Sequence, residues 1–204
     1  MPPFIKRHLH VSEKDNPTAA RKVRADAERN RVRLLETAKI AFAEKGSGAS
    51  LEEIARIAAV GIGTLYRHYP TRDALIEAVY RNESEQIMAA AKRLAEERAP
   101  VDALREWLLL CVDYMAVKHG MADALNSLVG GTSDLYATSG VQIKKAIAML
   151  VDRAIASGDI RLDIEPLDLL RALAGVATIA TGPTGTQAAK GLVDILIAGI
   201  STRR

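Results

Sequence analysis

Cysteine occurs once, at Cys111, and histidine only four times, at positions 8, 10, 68 and 119. One thiol cannot close an intramolecular disulfide. Its setting in Leu108-Leu109-Leu110-Cys111-Val112 reads as a buried core residue, with an effector-sensing thiol as the alternative. The histidines share no spacing that matches a metal set, and none has a second catalytic group placed to meet it. His119 with Asp113 and Asp123 comes nearest, and a helix-end surface histidine accounts for it more simply. No Ser/His/Asp or Cys/His arrangement and no glycine-rich phosphate loop stands in a suitable context. These absences argue against an enzyme, and no metal or cofactor is expected.

Long apolar runs are missing as well. The opening Met1-Pro2-Pro3-Phe4-Ile5-Lys6-Arg7-His8 carries prolines and charge where a secretory signal needs an apolar stretch. The longest charge-free segment, Ala172 to Ala189, is interrupted by Gly182-Pro183-Thr184-Gly185 and is too polar to span a bilayer. A cytoplasmic protein with no membrane partner is the expectation. Nothing alternates with period two for long enough to propose a sheet, and no internal repeat is visible, which leaves an all-α fold.

What is present begins with charge. The 204 residues carry a formal +3, unevenly placed: Met1 to Arg33 holds nine Lys/Arg against four Asp/Glu, leaving the remainder at −2. Residues 1–28 therefore read as a basic flexible leader, able to neutralise phosphates or simply to stay solvated. From Arg29 the helical spacing of Val32, Leu35, Ala38, Ile40, Ala41 and Phe42 predicts a helix that stops at Lys45-Gly46-Ser47-Gly48. Ser50-Leu51-Glu52-Glu53 is a capping box: the Ser50 hydroxyl accepts from the Glu53 amide while the Glu53 side chain reaches back to the Ser50 amide. It opens a second helix with Leu51, Ile54, Ala55 and Ala58 as its buried stripe. Val60-Gly61-Ile62-Gly63 breaks the pattern before a short third helix that contains Thr64 to Tyr69 and ends at Pro70. Thr71 suits the N-cap of a fourth helix that runs to about Arg98, roughly 40 Å long. Further helices are predicted at about 101–118, 121–129, 134–157, 165–181 and 186–201, about nine in all.

Two short helices joined by a tight glycine-containing turn, between Ser50 and Arg72, match the helix-turn-helix plan. The second helix of that motif lies in the major groove, where each base pair shows a distinct donor and acceptor pattern. Leu65 and Tyr69, four apart, are placed to pack inward, which puts Thr64, Arg67 and His68 together on the other side as potential donors to phosphates or base edges. Gly61 and Gly63 add no bulk where the start of that helix would approach a backbone.

These residues carry a resemblance. Leu34-Leu35-Glu36-Thr37-Ala38, Phe42-Ala43-Glu44-Lys45-Gly46, Ser50 to Ala55, Val60 to Tyr69 and Thr71-Arg72-Asp73-Ala74-Leu75, in that order, resemble the DNA-binding domain of the TetR family of bacterial regulators over residues 30–80. The resemblance implies a three-helix DNA-binding domain at 29–80 and an effector-binding and dimerisation bundle at 81–204. It also implies roles by position. Ser50 would touch a phosphate, and Thr64, Tyr66 and His68 would contact the DNA backbone. Arg67 would read a guanine, and Arg72 would clamp a phosphate. Ile62, Gly61 and Gly63 would face the groove, with Ile62 meeting a thymine methyl or packing beside Leu65. The leader is longer and more basic than in many relatives, so Arg21, Lys22, Arg24, Arg29 and Arg31 would extend into the adjacent minor groove or form a solvated tail.

For the remainder, the resemblance implies homodimerisation through the last two helices, about 166–200, where Ala172, Ala174, Gly175, Ala177 and Ala180 permit close approach. An effector cavity would lie among the helices at 101–157, with Trp107, Cys111, Tyr114, Met115, Leu125, Leu128 and Met149 as its candidate lining, and His119, Tyr136 and Leu150 beside them. The expected function is a ligand-responsive repressor on a palindromic operator. An activator, or a regulator that answers no ligand, would carry the same DNA-binding residues.

Overall fold

A computed structural model describes residues 17–179 and 183–202, and side chains from Ala25 onward within the first helix. Among the described residues there are nine α-helices. The first, α1, spans Pro17–Lys45. It therefore starts well before Arg29, and residues 17–28 belong to a helix, not to a leader without regular structure. Two features of the sequence favour this. Proline is well placed at a first helical turn, and where the segment runs on towards Arg33 pairs three residues apart brace the helix: Arg29 with Asp26, Arg31 Nη1 with Glu28 at 3.2 Å, and Arg33 Nη2 with Asn30 at 2.5 Å. His8 and His10 lie outside the described residues.

A 3-10 turn at Gly46–Gly48 leads to α2, Leu51–Ile57, then α3, Ile62–His68, and α4, Arg72–Glu97. Leu34, Leu35, Ala38 and Phe42 of α1 meet Ile54, Ala55, Leu65, Leu75 and Ile76 in one apolar core. Val32 and Ile40, apolar residues of the same helical pattern, are exposed. Ile40 lies two residues from both Ala38 and Phe42, which turns it to the far side of the helix. The turn between α2 and α3 also differs from expectation. Its left-handed residue is Ala59, with φ of 53°, whereas Gly61 has φ of −63° and serves as the α3 N-cap, and Ile62 and Gly63 are already helical.

The chain continues through α5 (Pro100–Gly120), α6 (Ala122–Asn126), α7 (Ser133–Ala156), α8 (Pro166–Ile179) and α9 (Pro183–Ile200). Pro183 to Gly185 form the first turn of α9, so the expected break at Gly182 to Gly185 is shorter than predicted; Ala180, Thr181 and Gly182 lie outside the described residues. A second core gathers Leu104, Trp107, Leu108, Ile147, Leu150, Leu173 and Val193, and the Trp107 indole donates to the Ile87 carbonyl at 2.9 Å. After α9 the chain pairs back on the α7–α8 loop through Arg161 N to Ile200 O at 2.8 Å and Thr202 N to Asp159 O at 3.0 Å.

The helix α4 enters both cores, with Leu75, Ile76, Val79 and Tyr80 in the first and Ile87, Ala90, Ala91 and Leu94 in the second. The short α6 does not join the second core. Met121, Ala124, Leu125 and Leu128 close the underside of the first one, against α1 and the 3-10 turn.

Two substitutions test this backbone. An L-residue in the left-handed region is strained by about 1–2 kcal/mol, and extra unfolded-chain freedom at a new glycine returns about 0.4–1. Ala59→Gly is therefore expected to stabilise the fold by up to about 1 kcal/mol. At Gly46, φ is +53° and an added Cβ would stand 2.9 Å from the Asp123 Cβ. Gly46→Ala is expected to destabilise by about 1–3 kcal/mol. Urea unfolding midpoints of the two variants should move in opposite directions.

Candidate nucleic-acid interface

Ser50 stands at the start of α2 with its hydroxyl accepting from the Glu53 amide at 3.2 Å and donating to Glu52 Oε2 at 2.9 Å. Only this half of the expected capping box forms. The Glu53 carboxylate turns to Lys45 Nζ at 2.6 Å, a contact that holds its carboxyl below the ordinary range.

The α3 helix divides by face. Leu65 is fully buried and Tyr69 nearly so, while Arg67 and His68 are exposed, Tyr66 and Ile62 keep about two-fifths of their surface in solvent, and Thr64 is half-buried. Arg67 Nη2 donates to Thr64 Oγ1 at 3.0 Å, so the guanidinium is drawn along the helix toward its N-terminal end. No acidic residue occurs in α3. Gly61 and Gly63 are exposed, and open space surrounds the position a Cβ would take at Gly63. This surface is a short convex rod of donors, about the width a major groove admits.

Arg72, expected as a phosphate clamp, stands apart from this surface. Its guanidinium donates to the carbonyls of Ala49 at 2.5 Å, Ser47 at 2.6 Å and Gly46 at 3.3 Å, and lies 5.3 Å from the Phe42 ring centroid. A half-buried fork spent on three carbonyls braces the α1–α2 connection. Sequence reasoning passed over Arg56 in the last turn of α2, whose side chain is 75% exposed and 4.0 Å from the Glu53 carboxylate. Its signal was a lone basic residue after two acids, which reads equally well as ordinary helix-end charge.

The candidates for an effector cavity scatter. Trp107 and Cys111 are sealed in the second core, where burial pushes the Cys111 thiol up, away from reactivity. Leu125 and Leu128 belong to the first core beneath the helix-turn-helix, Leu150 is core, and Met149 is on the surface. Tyr114 bonds through its hydroxyl to Ser84 at 3.1 Å. Met115, with His119 and Tyr136, does line a cavity.

Two cavities flank α4, α5 and α7. One of about 920 Å³ lies between α4, the loop at 129–131 and the start of α7, bordered by Glu77, Arg81, Glu85, Lys92 and Asp134. The other, about 710 Å³, sits where the end of α5, α6, α7, α8 and α9 converge. Asp113 pairs with Lys190 at 2.7 Å and not with His119. Among the described residues no helix is long and apolar enough to cross a membrane.

The family described as bacterial regulatory proteins, tetR family, matches residues 34–79, and that described as transcriptional regulator SbtR-like, C-terminal domain, matches residues 99–202. Similar solved structures include a TetR transcriptional regulator from Streptomyces coelicolor, 43% identical over 85% of this chain and 99% of that one, with a TM-score of 0.78. Another is a TetR transcription regulatory protein from Mycobacterium vanbaalenii, 30% identical over 88% of this chain and 99% of that one, with a TM-score of 0.71. Among curated proteins, the HTH-type transcriptional regulator UidR of Escherichia coli is 32% identical over 46% of this chain and 42% of its own length. The HTH-type transcriptional repressor LfrR of Mycolicibacterium smegmatis is 37% identical over 37% of this chain and 40% of its own length. The chain thus spans less than half the length of these curated relatives.

The two arginines at either end of this region should separate in a stability measurement. Hydrogen bonds to a charged group are worth about 1.5–3 kcal/mol, and because the bonds to Ala49 and Gly46 are part-buried and that to Ser47 exposed, Arg72→Ala is expected to lower the unfolding free energy by about 1.5 kcal/mol. Arg67→Ala, on the surface, should leave it within about 0.5 kcal/mol. Arg72→Lys should recover only part of the loss, because an ammonium lacks the planar fork.

Proposed function

The chain belongs to the TetR family of DNA-binding transcriptional regulators, and on that premise we propose that it is a homodimeric repressor that occupies a two-fold operator and releases it when a small molecule binds. The observation that carries the DNA half is the outward row of Thr64, Tyr66, Arg67 and His68, anchored from beneath by buried Leu65 and Tyr69. In this reading Arg67 bonds a guanine bidentately, and Thr64, Tyr66 and His68 hold the sugar-phosphate chain. Ser50 and the exposed Arg56 meet a phosphate from α2, and Ile62 meets a thymine methyl between Gly61 and Gly63. Residues 29–80 make the DNA-binding unit and 81–204 the sensing and dimerising unit, working in the cytoplasm.

The dimer reading is supported by the outer faces of α8 and α9. Ala172, Gly175 and Ile179 on one helix, and Ala188, Gly191, Ile195 and Ala198 on the other, form exposed stripes at helical spacing. Ile179 and Ile195 keep 85% and 68% of their surface in solvent, an unusual cost for two large aliphatic side chains on adjacent helices. Small residues let a second copy approach closely, and a two-fold axis would set the recognition helices about 34–36 Å apart, one turn of DNA. The repressor reading draws on LfrR, which is named a repressor. The ligand reading draws on α4, which touches both cores and borders the larger cavity.

Selection of bound sequences from random DNA tests the whole proposal, and recovery of inverted half-sites is the expected result. On the selected operator, Arg67→Ala should weaken binding about tenfold or more and relax preference at one base pair, corresponding to about 1–3 kcal/mol. Ile195→Asp should convert the dimer to monomer in sedimentation and weaken binding to two half-sites far more than to one. A reporter fused to the selected promoter, silent with the protein and active without it, separates repressor from activator.

A further inference from the structure

We propose that the cavity where α5 meets α6 takes an organic anion, a carboxylate on an apolar body, and that the bound anion acts on DNA binding through α6. This rests on the ligand-responsive reading above and names the ligand's class and route.

The two cavities differ in charge. Around the larger one three carboxylates accompany two cations, and Arg81 is already paired with Glu77 at 3.0 Å. The smaller is bordered by Lys118, His119 and Lys190 and by no acidic residue. Lys190 shares its charge with Asp113 at 2.7 Å. Lys118 does not: its ammonium rests 3.8 Å from the centroid of the Tyr136 ring, and among the described residues no carboxylate lies within ion-pair distance of it. An ammonium held over a ring face by its charge keeps N–H donors for a further partner. His119 offers a further N–H in either protonation state. Met115, beside Lys118 and His119 on α5, and Ala174 and Ala177 of α8 give the same lining apolar surface, with Thr178 and Gln187 able to orient a second polar group. Cationic groups without a carboxylate in the lining, interleaved with apolar side chains, suit an acid carried on an apolar body. About 710 Å³ admits a molecule of drug size.

The same corner touches the DNA-binding unit. A Cβ built at Gly120, beside His119, would stand 3.2 Å from the Ala43 Cβ of α1. Ala122 lines the cavity, while its neighbours Met121, Ala124 and Leu125 are buried in the core beneath the helix-turn-helix. A group drawn toward Lys118 and His119 therefore presses on the short helix that closes the first core, without needing to displace α4.

The test uses the full-length protein on its selected operator, with octanoate, decanoate and phenylbutyrate as probes and their primary alcohols and amides as uncharged matches. Calorimetry reads binding and fluorescence anisotropy reads release of labelled operator. The expected result is that at least one carboxylate binds about tenfold or more tightly than its alcohol and weakens operator affinity. Lys118→Met should abolish that preference and Lys118→Arg should keep it; His119→Gln serves as the second variant if Lys118→Met is poorly folded. Equal binding of acids and alcohols, no binding of any acid, or a carboxylate preference intact in both Lys118→Met and His119→Gln overturns the anion assignment. If an alcohol or amide releases DNA, the ligand-responsive reading stands and the anion class falls. Carboxylate binding that leaves operator affinity unchanged overturns the route through α6 and the ligand-responsive reading together.

Discussion

The first turns of α4 bury Leu75, Ile76, Val79 and Tyr80 beneath the helix-turn-helix, and its later turns bury Ile87, Ala90, Ala91 and Leu94 against Trp107. A straight helix of 26 residues is about 39 Å long, so one stiff rod has its two ends fixed in separate apolar clusters. Neither cluster can shift along the rod without uncovering apolar side chains in the other. The position of α3 relative to the second core is set by that double burial. At the middle of the rod, Lys39 of α1 reaches Glu36 at 2.8 Å and Glu83 of α4 at 3.2 Å. Burial works against that ammonium, but the two carboxylates outweigh it and hold its pKa above the ordinary value.

Between the two clusters α4 passes a polar seam. Tyr80 Oη and Ser139 Oγ of α7 are 2.6 Å apart, Ser84 donates to the Tyr80 carbonyl at 2.9 Å, and Ser84 Oγ lies 3.1 Å from Tyr114 Oη of α5. Buried hydroxyls tolerate few arrangements, because a slip of one helix strands a donor without water to replace its partner. Apolar packing on either side would accept small slides; the hydroxyls select one register. Burial, first among the influences on Tyr114, pushes its phenol up, so it stays a neutral hydrogen-bonding group here.

Arg67 and Arg72 show how far local sequence reading reaches. Each follows a helix-compatible pattern, and each resembles a DNA-contacting position. The spacing of Leu65 and Tyr69 was enough to turn Arg67 outward, because a helix face is determined by residues three and four apart. What Arg72 meets depends on the carbonyls of Gly46, Ser47 and Ala49, which no spacing within α4 describes. The left-handed residue of the α2–α3 turn is beyond local reading for a related reason: glycine marks where that conformation is cheap, but with Ala58 and Val60 both buried in the first core it falls on Ala59. The onset of α1 at Pro17 is not legible in the same way, because a charged, apolar-poor segment resembles a solvated leader.

The existence of the helices from α2 to α5, the two caps at Ser50 and Thr71, the outward row on α3 and the all-α class are properties of residues within a few turns of one another and are legible in the sequence. Which core a side chain joins is another matter. Trp107, Cys111, Leu125 and Leu128 look alike as apolar residues on helical faces, yet two seal the second core and two the first. Likewise Lys118 is an ordinary helix-end cation until α7 lays Tyr136 beneath it. Those assignments come from contacts between segments far apart in the chain, where the apolar drive is non-directional and only the finished packing decides what touches what.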